Sequence, residues 1–340
     1  MGVTAKHSDE ITDEMWQNVN KFNRDLVNEY LDSKIELSAK SRVQYESGLK
    51  IFFWWVYENL DNKKCVDIKK KEFVKYLNYL TNRGLSESAI KLKKSVVSSL
   101  CNYIMEFYED EYPTFRTFVT SSMKVVQTGY VHEKVPLTTE EYTHLCEQLE
   151  ELEKWQILAW LKFSYSTGCR RAESRQLLKE VVTYEPIVKT IITTDKQGNE
   201  IEKESIKYKT HKIRCKGKSK IGKVRSLQFG QDAMDAINKW LEVRGEDDCP
   251  YVFVIKHPDG TVTQVGESTF NDWCSGLLTK LVGRRVHPHL LRESRATNLV
   301  VEEGKSLETA QKLLGHESSE TTSKHYVIRE DTEDADEAFV

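Results

Sequence analysis

No stretch of this sequence stays apolar over the roughly 18 residues that a membrane-spanning helix needs, and residues 1–9 hold no signal-like apolar core. Neither membrane insertion nor secretion is indicated, and the expected location is the cytoplasm. No CxxC pair occurs. The 7 cysteines, at 65, 101, 146, 169, 215, 249 and 274, are odd in number and scattered, which argues against a disulfide framework and a structural zinc site. They are expected to be reduced and mostly packing residues. Internal repeats are absent, and so is an excess of positive charge: 50 Lys and Arg face 53 Asp and Glu, for a formal net charge of -3.

What is present fits a globular chain. At 340 residues, with 39% hydrophobic, 30% charged and 10% aromatic residues, it is too long for one typical core and comfortable for two. The charge is unevenly placed. Glu330, Asp331, Glu333, Asp334, Asp336 and Glu337 crowd the last eleven residues, so that everything before them carries +3. Between residues 201 and 225 ten Lys or Arg stand against two Glu, a local field able to attract phosphate, although a solvated basic hairpin would look the same.

Helical periodicity runs over 11–31, with Thr12 as cap, then from Ser38 or Ser41, then over 67–82 and 86–108, with Ser86 as cap. Four helices therefore fill the first third. Lys40, Arg42, Lys91, Lys93 and Lys94 lie near the starts of two of them, where backbone N–H groups also favour phosphate. Periodicity is lost after 111, which predicts a helical domain at 1–115, a linker at 116–135, a second domain at 136–329 and an acidic tail at 330–340. In the second domain helices are expected at 138 onward, at 155–166 and over 173–178. A small antiparallel sheet follows, from strands at 188–194, 205–215 and 224–229, and then helices at 231–244, 268–281, 290–303 and 307–314. A turn falls at 195–199, and the hairpin segment 195–205 lengthens the sheet for no evident reason.

Four patches of the second domain have residue types that make chemical sense together. Thr167-Gly168-Cys169-Arg170-Arg171-Ala172-Glu173 puts an arginine after a glycine turn, where a surface ion pair is the plain alternative. Ile213-Arg214-Cys215-Lys216-Gly217-Lys218 leads a strand into a lysine-bearing turn that continues through Lys220 and Lys223, and basic hairpin tips are common. His287-Pro288-His289-Leu290-Leu291-Arg292 opens a helix with a His and an Arg on one face. No Cys, Asp or Glu completes a metal ligand set there, so no metal is expected. Leu313-Leu314-Gly315-His316 is followed ten residues later by Tyr326, and a lone tyrosine after a helix is usually a packing residue.

Taken in order, TGCR-RAE, the GK hairpin, HLLRESRAT, LLGH and the following tyrosine resemble the tyrosine recombinase (phage integrase) family, and the helical first third resembles that family's core-binding domain. The resemblance implies an α+β fold: an N-terminal helical, SAM-like core-binding domain and a mixed α/β catalytic domain, together forming a C-shaped clamp on DNA. It implies catalytic roles for Arg170, Lys218, His289, Arg292, His316 and Tyr326. The T-G-x-R offset selects Arg170 over Arg171, whereas Lys216 and Lys220 remain open alternatives to Lys218. Phosphate contacts are expected from Lys40, Arg42, Lys91, Lys93, Lys94, Lys212, Arg214, Lys216, Lys220 and Lys223.

The implied reaction is metal-independent DNA strand transfer through a 3'-phosphotyrosine. It needs no cofactor, because the covalent bond keeps the energy of the broken phosphodiester. The expected partners are double-stranded DNA and further copies of the chain, as dimer to tetramer on paired sites, in a phage or other mobile element. The alternative reading is a DNA-binding regulator on the same scaffold that has lost cleavage.

Overall fold

The computed structural model describes residues 10–124, 135–194, 200–215 and 222–315. Two compact units divide between residues 132 and 133. Among the described residues no helix is long and apolar enough to cross a membrane.

The first unit contains α1 (Asp13–Asn18), α2 (Lys21–Ser33), α3 (Ala39–Asn59), α4 (Lys70–Asn82) and α5 (Glu87–Phe107). Thr12, Ser38 and Ser86 each accept a hydrogen bond from the backbone N–H three residues on, the N-cap geometry that satisfies an orphan donor of the first turn. The single helix expected over 11–31 is in fact two. Val19 turns extended, with ψ 139, and Asn20 caps α2 by accepting from the Asn23 N–H. The Asn20 amide also donates to the carbonyl of Asn62 at 2.6 Å, so a contact forty-two residues away overrides the apolar periodicity. The helix expected from 67 starts at Lys70, after a short 3-10 turn at Cys65–Asp67.

Phe52, fully buried, is the hub of this core, with the rings of Phe73, Tyr76 and Phe118 centred 5.8, 5.0 and 6.2 Å away. Phe118 and Val119 fall in the stretch expected to be linker. They are 1% and 6% exposed because the core has room for an aromatic ring that helical periodicity does not reveal.

In the second unit α6 (Thr139–Glu151) opens with a reciprocal capping box between Thr138 and Glu141. α7 (Trp155–Thr167) buries Leu158, Ala159, Trp160, Leu161 and Phe163 and so is apolar on nearly every side, as befits a central helix. Its Trp160 indole stacks on Phe270, 4.9 Å between centroids, and donates to Ser174 Oγ at 3.1 Å. That bond ties the core helix to α8 (Arg171–Ser174), which is shorter than the helix expected over 173–178.

The expected single sheet is two. β1 (Ile187–Thr194) and β2 (Glu200–Lys209) pair antiparallel, and β5 (Gln228–Gly230) adds to β2. β3 (Ile213–Cys215) and β4 (Lys223–Arg225) form a separate hairpin. Buried Thr210 makes the break: its N–H donates to the Leu227 carbonyl and its hydroxyl accepts from the Leu227 N–H, which turns the chain between the two sheets. After α9 (Gln231–Arg244) comes a hairpin of β6 (Val254–Lys256) and β7 (Val262–Gln264) that the sequence pattern did not suggest. α10 (Glu267–Trp273) runs through a π turn at Cys274–Leu278 into α11 (Thr279–Val282), where one helix was expected. α12 (Pro288–Val301) and α13 (Leu307–Leu314) complete the described chain.

All seven cysteines are free thiols, and every one except the half-buried Cys249 is buried. A thiol-specific aromatic disulfide reagent should therefore titrate one group rapidly in the folded protein and the remaining six only after denaturation. Three or more fast thiols in the native state would contradict this packing.

Candidate active site

Gly168 ends α7 in the left-handed region with φ 58, and a Cβ there would lie 2.5 Å from Leu314 Cδ2. Glycine is thus required both by its backbone angle and by the close approach of α13. The chain then turns so that Arg170 caps α8. Its N–H donates to Glu173 Oε2 and its Nη1 to Glu173 Oε1, both at 3.1 Å. The Glu173 side chain is 1% exposed and that of Arg170 is 29% exposed, so the guanidinium is anchored from within and still reaches solvent. The adjacent Arg171 turns elsewhere, to Asn271 Oδ1 at 2.8 Å and Glu267 at 3.5 Å. Burial pushes the Cys169 thiol up to about 12, which keeps it protonated and unreactive.

His287 and Pro288 start α12. The Nδ1 of His287 accepts from the Leu290 N–H at 3.0 Å, so the first histidine of the pair serves as a helix cap. His289 is 48% exposed, with its Nε2 4.0 Å from buried Glu293. Partial burial lowers the pKa of its ring below the ordinary imidazole value; Glu293 pulls it upward, while Arg292 and Arg170 push it further down. The neutral ring therefore prevails at neutral pH.

Arg292, one turn further along α12, is 0% exposed. Its Nη1 donates to the Gly168 carbonyl and its Nη2 to the Leu314 carbonyl at 3.0 Å. Both acceptors belong to helix C-termini, where carbonyls lack intrahelical donors and carry partial negative charge. A buried cation is thus compensated by two helix ends.

A cavity of about 370 Å³ is lined by Arg170, Arg171, Asn271, His287, Pro288 and His289. A larger cleft of about 590 Å³, lined among others by Lys179, Arg244 and Asp247, includes none of the residues singled out by sequence. Of the six expected catalytic residues, Arg170 and His289 line the smaller cavity, and the buried Arg292 lies close enough to act electrostatically on His289. Lys218, His316 and Tyr326, like Lys216 and Lys220, lie outside the described residues.

Two residues that the sequence reading passed over complete the arrangement. Arg225, on β4, donates from Nη1 to the Leu313 carbonyl and from Nη2 to the Leu314 carbonyl, both at 3.0 Å, and its Nη2 is 3.7 Å from Glu173. Buried Glu173 thus faces both Arg170 and Arg225, and Arg225 holds the end of α13 just before Gly315. Gln176 exchanges hydrogen bonds with the backbone of Arg214, fixing the base of the β3–β4 hairpin beside α8. Glu173 lies inside the TGCR-RAE motif, but only the fold shows that it is buried.

The expected phosphate ligands differ in their commitments. Arg42 pairs with Asp32 at 2.6 Å, Lys91 with Glu87 at 2.5 Å, and Lys94 donates to the Met123 carbonyl. Lys93 is half-buried, and burial lowers its pKa. Lys40, Lys212, Arg214 and Lys223 are exposed.

Comparison with known proteins places these features in context. Residues 135–333 match the model of the phage integrase family, and residues 27–106 match that of the phage integrase N-terminal SAM-like domain. The SPbeta prophage-derived recombinase-like protein YomM of Bacillus subtilis is 35% identical over 97% of this chain and 95% of its own length. Tyrosine recombinase XerC of Pediococcus pentosaceus is 25% identical over 87% of this chain and 90% of its own. The fold is similar to that of the Tn1549 transposon integrase solved in complex with circular intermediate DNA, with a TM-score of 0.63, 14% identity, and coverage of 94% of this chain and 99% of that one.

Arg225→Ala removes the contacts to the Leu313 and Leu314 carbonyls and leaves the buried Glu173 with one arginine fewer. It should lower stability by about 1–3 kcal/mol, read as a shifted denaturation midpoint, and Arg225→Lys should recover only part because an ammonium cannot span two carbonyls as a fork does. An Arg225→Ala protein as stable as wild type would sink this account.

Proposed function

The chain belongs to the phage integrase family, the tyrosine recombinases, and we propose that it is a site-specific DNA recombinase of a phage or mobile element, acting in the cytoplasm as a homo-oligomer on duplex DNA. The observation that carries this reading is Arg292, which binds the turn before Arg170 and the helix end before His316 through one guanidinium. Three separated motifs are thereby held at one place, as a phosphoryl-transfer site requires.

In the proposed reaction Tyr326 Oη attacks a phosphodiester phosphorus, the bond to the 5'-oxygen breaks, and a 3'-phosphotyrosine forms. The phenol, with a reference pKa of about 10, gives its proton to neutral His289. Lys218, or Lys216 or Lys220 from the same turn, protonates the departing 5'-oxygen. Arg170 and Arg292 hold the non-bridging oxygens and offset the charge that builds as phosphorus becomes five-coordinate. Arg292 is fully buried, so to hold phosphate it must exchange one of its carbonyl partners for the phosphate oxygen. His316 donates a further hydrogen bond. Rejoining reverses these steps on a new 5'-hydroxyl. The phosphate contacts come from both units, with Lys40, Lys212, Arg214 and Lys223 the exposed members among the described residues. A first domain that runs past 115 to include the packed Phe118 and Val119, a second at 136–329 and an acidic tail at 330–340 complete the proposal.

Tyr326→Phe removes one oxygen and keeps the ring. It should bind nicked DNA nearly as wild type does and form no covalent adduct, whereas His325→Ala should still form one. Adduct formation should also persist in EDTA, since the charge that a metal would supply comes from side chains. Tight binding by wild type with no adduct under any condition would establish the regulator reading instead.

The lowered pKa of His289 gives this assignment a pH signature. A base must be unprotonated, so the rate falls as pH drops through its pKa, and that fall should sit below pH 6.5, the ordinary imidazole value. Initial rates of adduct formation at sub-saturating DNA report the free protein. A limb centred above 6.5 that His289→Ala leaves in place would remove His289 from the role.

A further inference from the structure

β1 and β2 form a ribbon that reaches beyond its own sheet, since β5 pairs only with Lys207, Tyr208 and Lys209. Among the described side chains beyond that pairing both faces reach solvent, with Val188, Ile191 and Ile192 52%, 45% and 67% exposed. A two-stranded ribbon alone in water is marginally stable, so this one invites a partner.

The register sorts its charges. Lys189 pairs with Ser205, Ile191 with Lys203 and Ile187 with Lys207, which places Lys189, Lys203, Lys207 and Lys209 on one face. Glu202 and Glu204, opposite Ile192 and Thr190, lie on the other. None of the four lysines has a carboxylate partner among the described residues. This contrasts with Arg42 and Lys91 in the first unit, which are held by Asp32 and Glu87.

We propose that the lysine face of the β1–β2 ribbon is a DNA-backbone contact surface of this protein, additional to the cavity at Arg170. The inference rests on the recombinase reading only in taking duplex DNA as the partner. At about 3.3 Å per residue, Lys203 and Lys207 stand about 13 Å apart, close to the roughly 12 Å width of the major groove, so their ammonium groups reach phosphates of both strands. Glu202 and Glu204 repel phosphate from the opposite face and fix which side meets the duplex. The lengthened hairpin thereby acquires a physical purpose.

The test is the salt dependence of binding of the full chain to a mixed-sequence, fluorophore-labelled duplex, where phosphate contacts set the slope. Each neutralised phosphate contributes about -0.9 to the log–log slope. Lys189→Gln/Lys203→Gln/Lys207→Gln should lose about 2.7 of it, the matching triple arginine variant should keep it, and Glu202→Gln/Glu204→Gln should leave it unchanged. Should the triple glutamine variant fail to fold, Lys203→Gln alone should lose about 0.9. An unchanged slope in a normally folded triple variant overturns the proposal. So does an unchanged slope with altered sedimentation, which would assign the face to a second copy or to the acidic segment 330–337. Wild type without salt-dependent binding would instead overturn the recombinase reading, so the two failures are distinguishable.

Discussion

A buried guanidinium organises the second unit. Arg292 has no exposed surface, and a charge in that position is tolerable only if strong, oriented acceptors surround it. The ends of α7 and α13 provide them, since Gly168 and Leu314 present carbonyls that no helical N–H can reach. The constraint works in both directions. The arginine is stabilised, and two helix termini distant in sequence are forced to end at one point, which is why Gly168 must be glycine where it passes Leu314.

A second network reinforces the first. Glu173 is buried between Arg170 and Arg225, and Arg225 binds the same Leu314 carbonyl that Arg292 binds. The cavity at Arg170, the base of the lysine-bearing hairpin and the end of α13 are therefore mechanically connected. A displacement of any one would leave a buried charge or carbonyl unsatisfied, at a cost larger than that of an exposed ion pair. Rigid positioning of this kind is what a site needs when its chemistry consists of placing groups around a phosphorus atom.

The same geometry separates residues that look alike in sequence. Arg170 and Arg171 are neighbours, yet one faces Glu173 and the other Asn271 and Glu267. His287 caps a helix while His289 lines the cavity with a lowered pKa. Lysines grouped by composition divide into those held by a carboxylate or carbonyl, such as Lys91 and Lys94, and those aligned on one face of the β1–β2 ribbon.

Sequence by itself determined the helical first unit, its caps at Thr12 and Ser86, the stop at Gly315 and the order of the motifs, and it narrowed the start of α3 to Ser38 or Ser41. These depend on local chemistry: a hydroxyl beside a free N–H, a residue without Cβ, a fixed spacing. Tertiary structure alone decided the break at Asn20, the burial of Phe118, the splitting of one expected sheet into two, and the parts played by Glu173 and Arg225. Each of these depends on a partner tens of residues away, and no local pattern can announce a hydrogen bond whose other half is supplied only when the chain has folded.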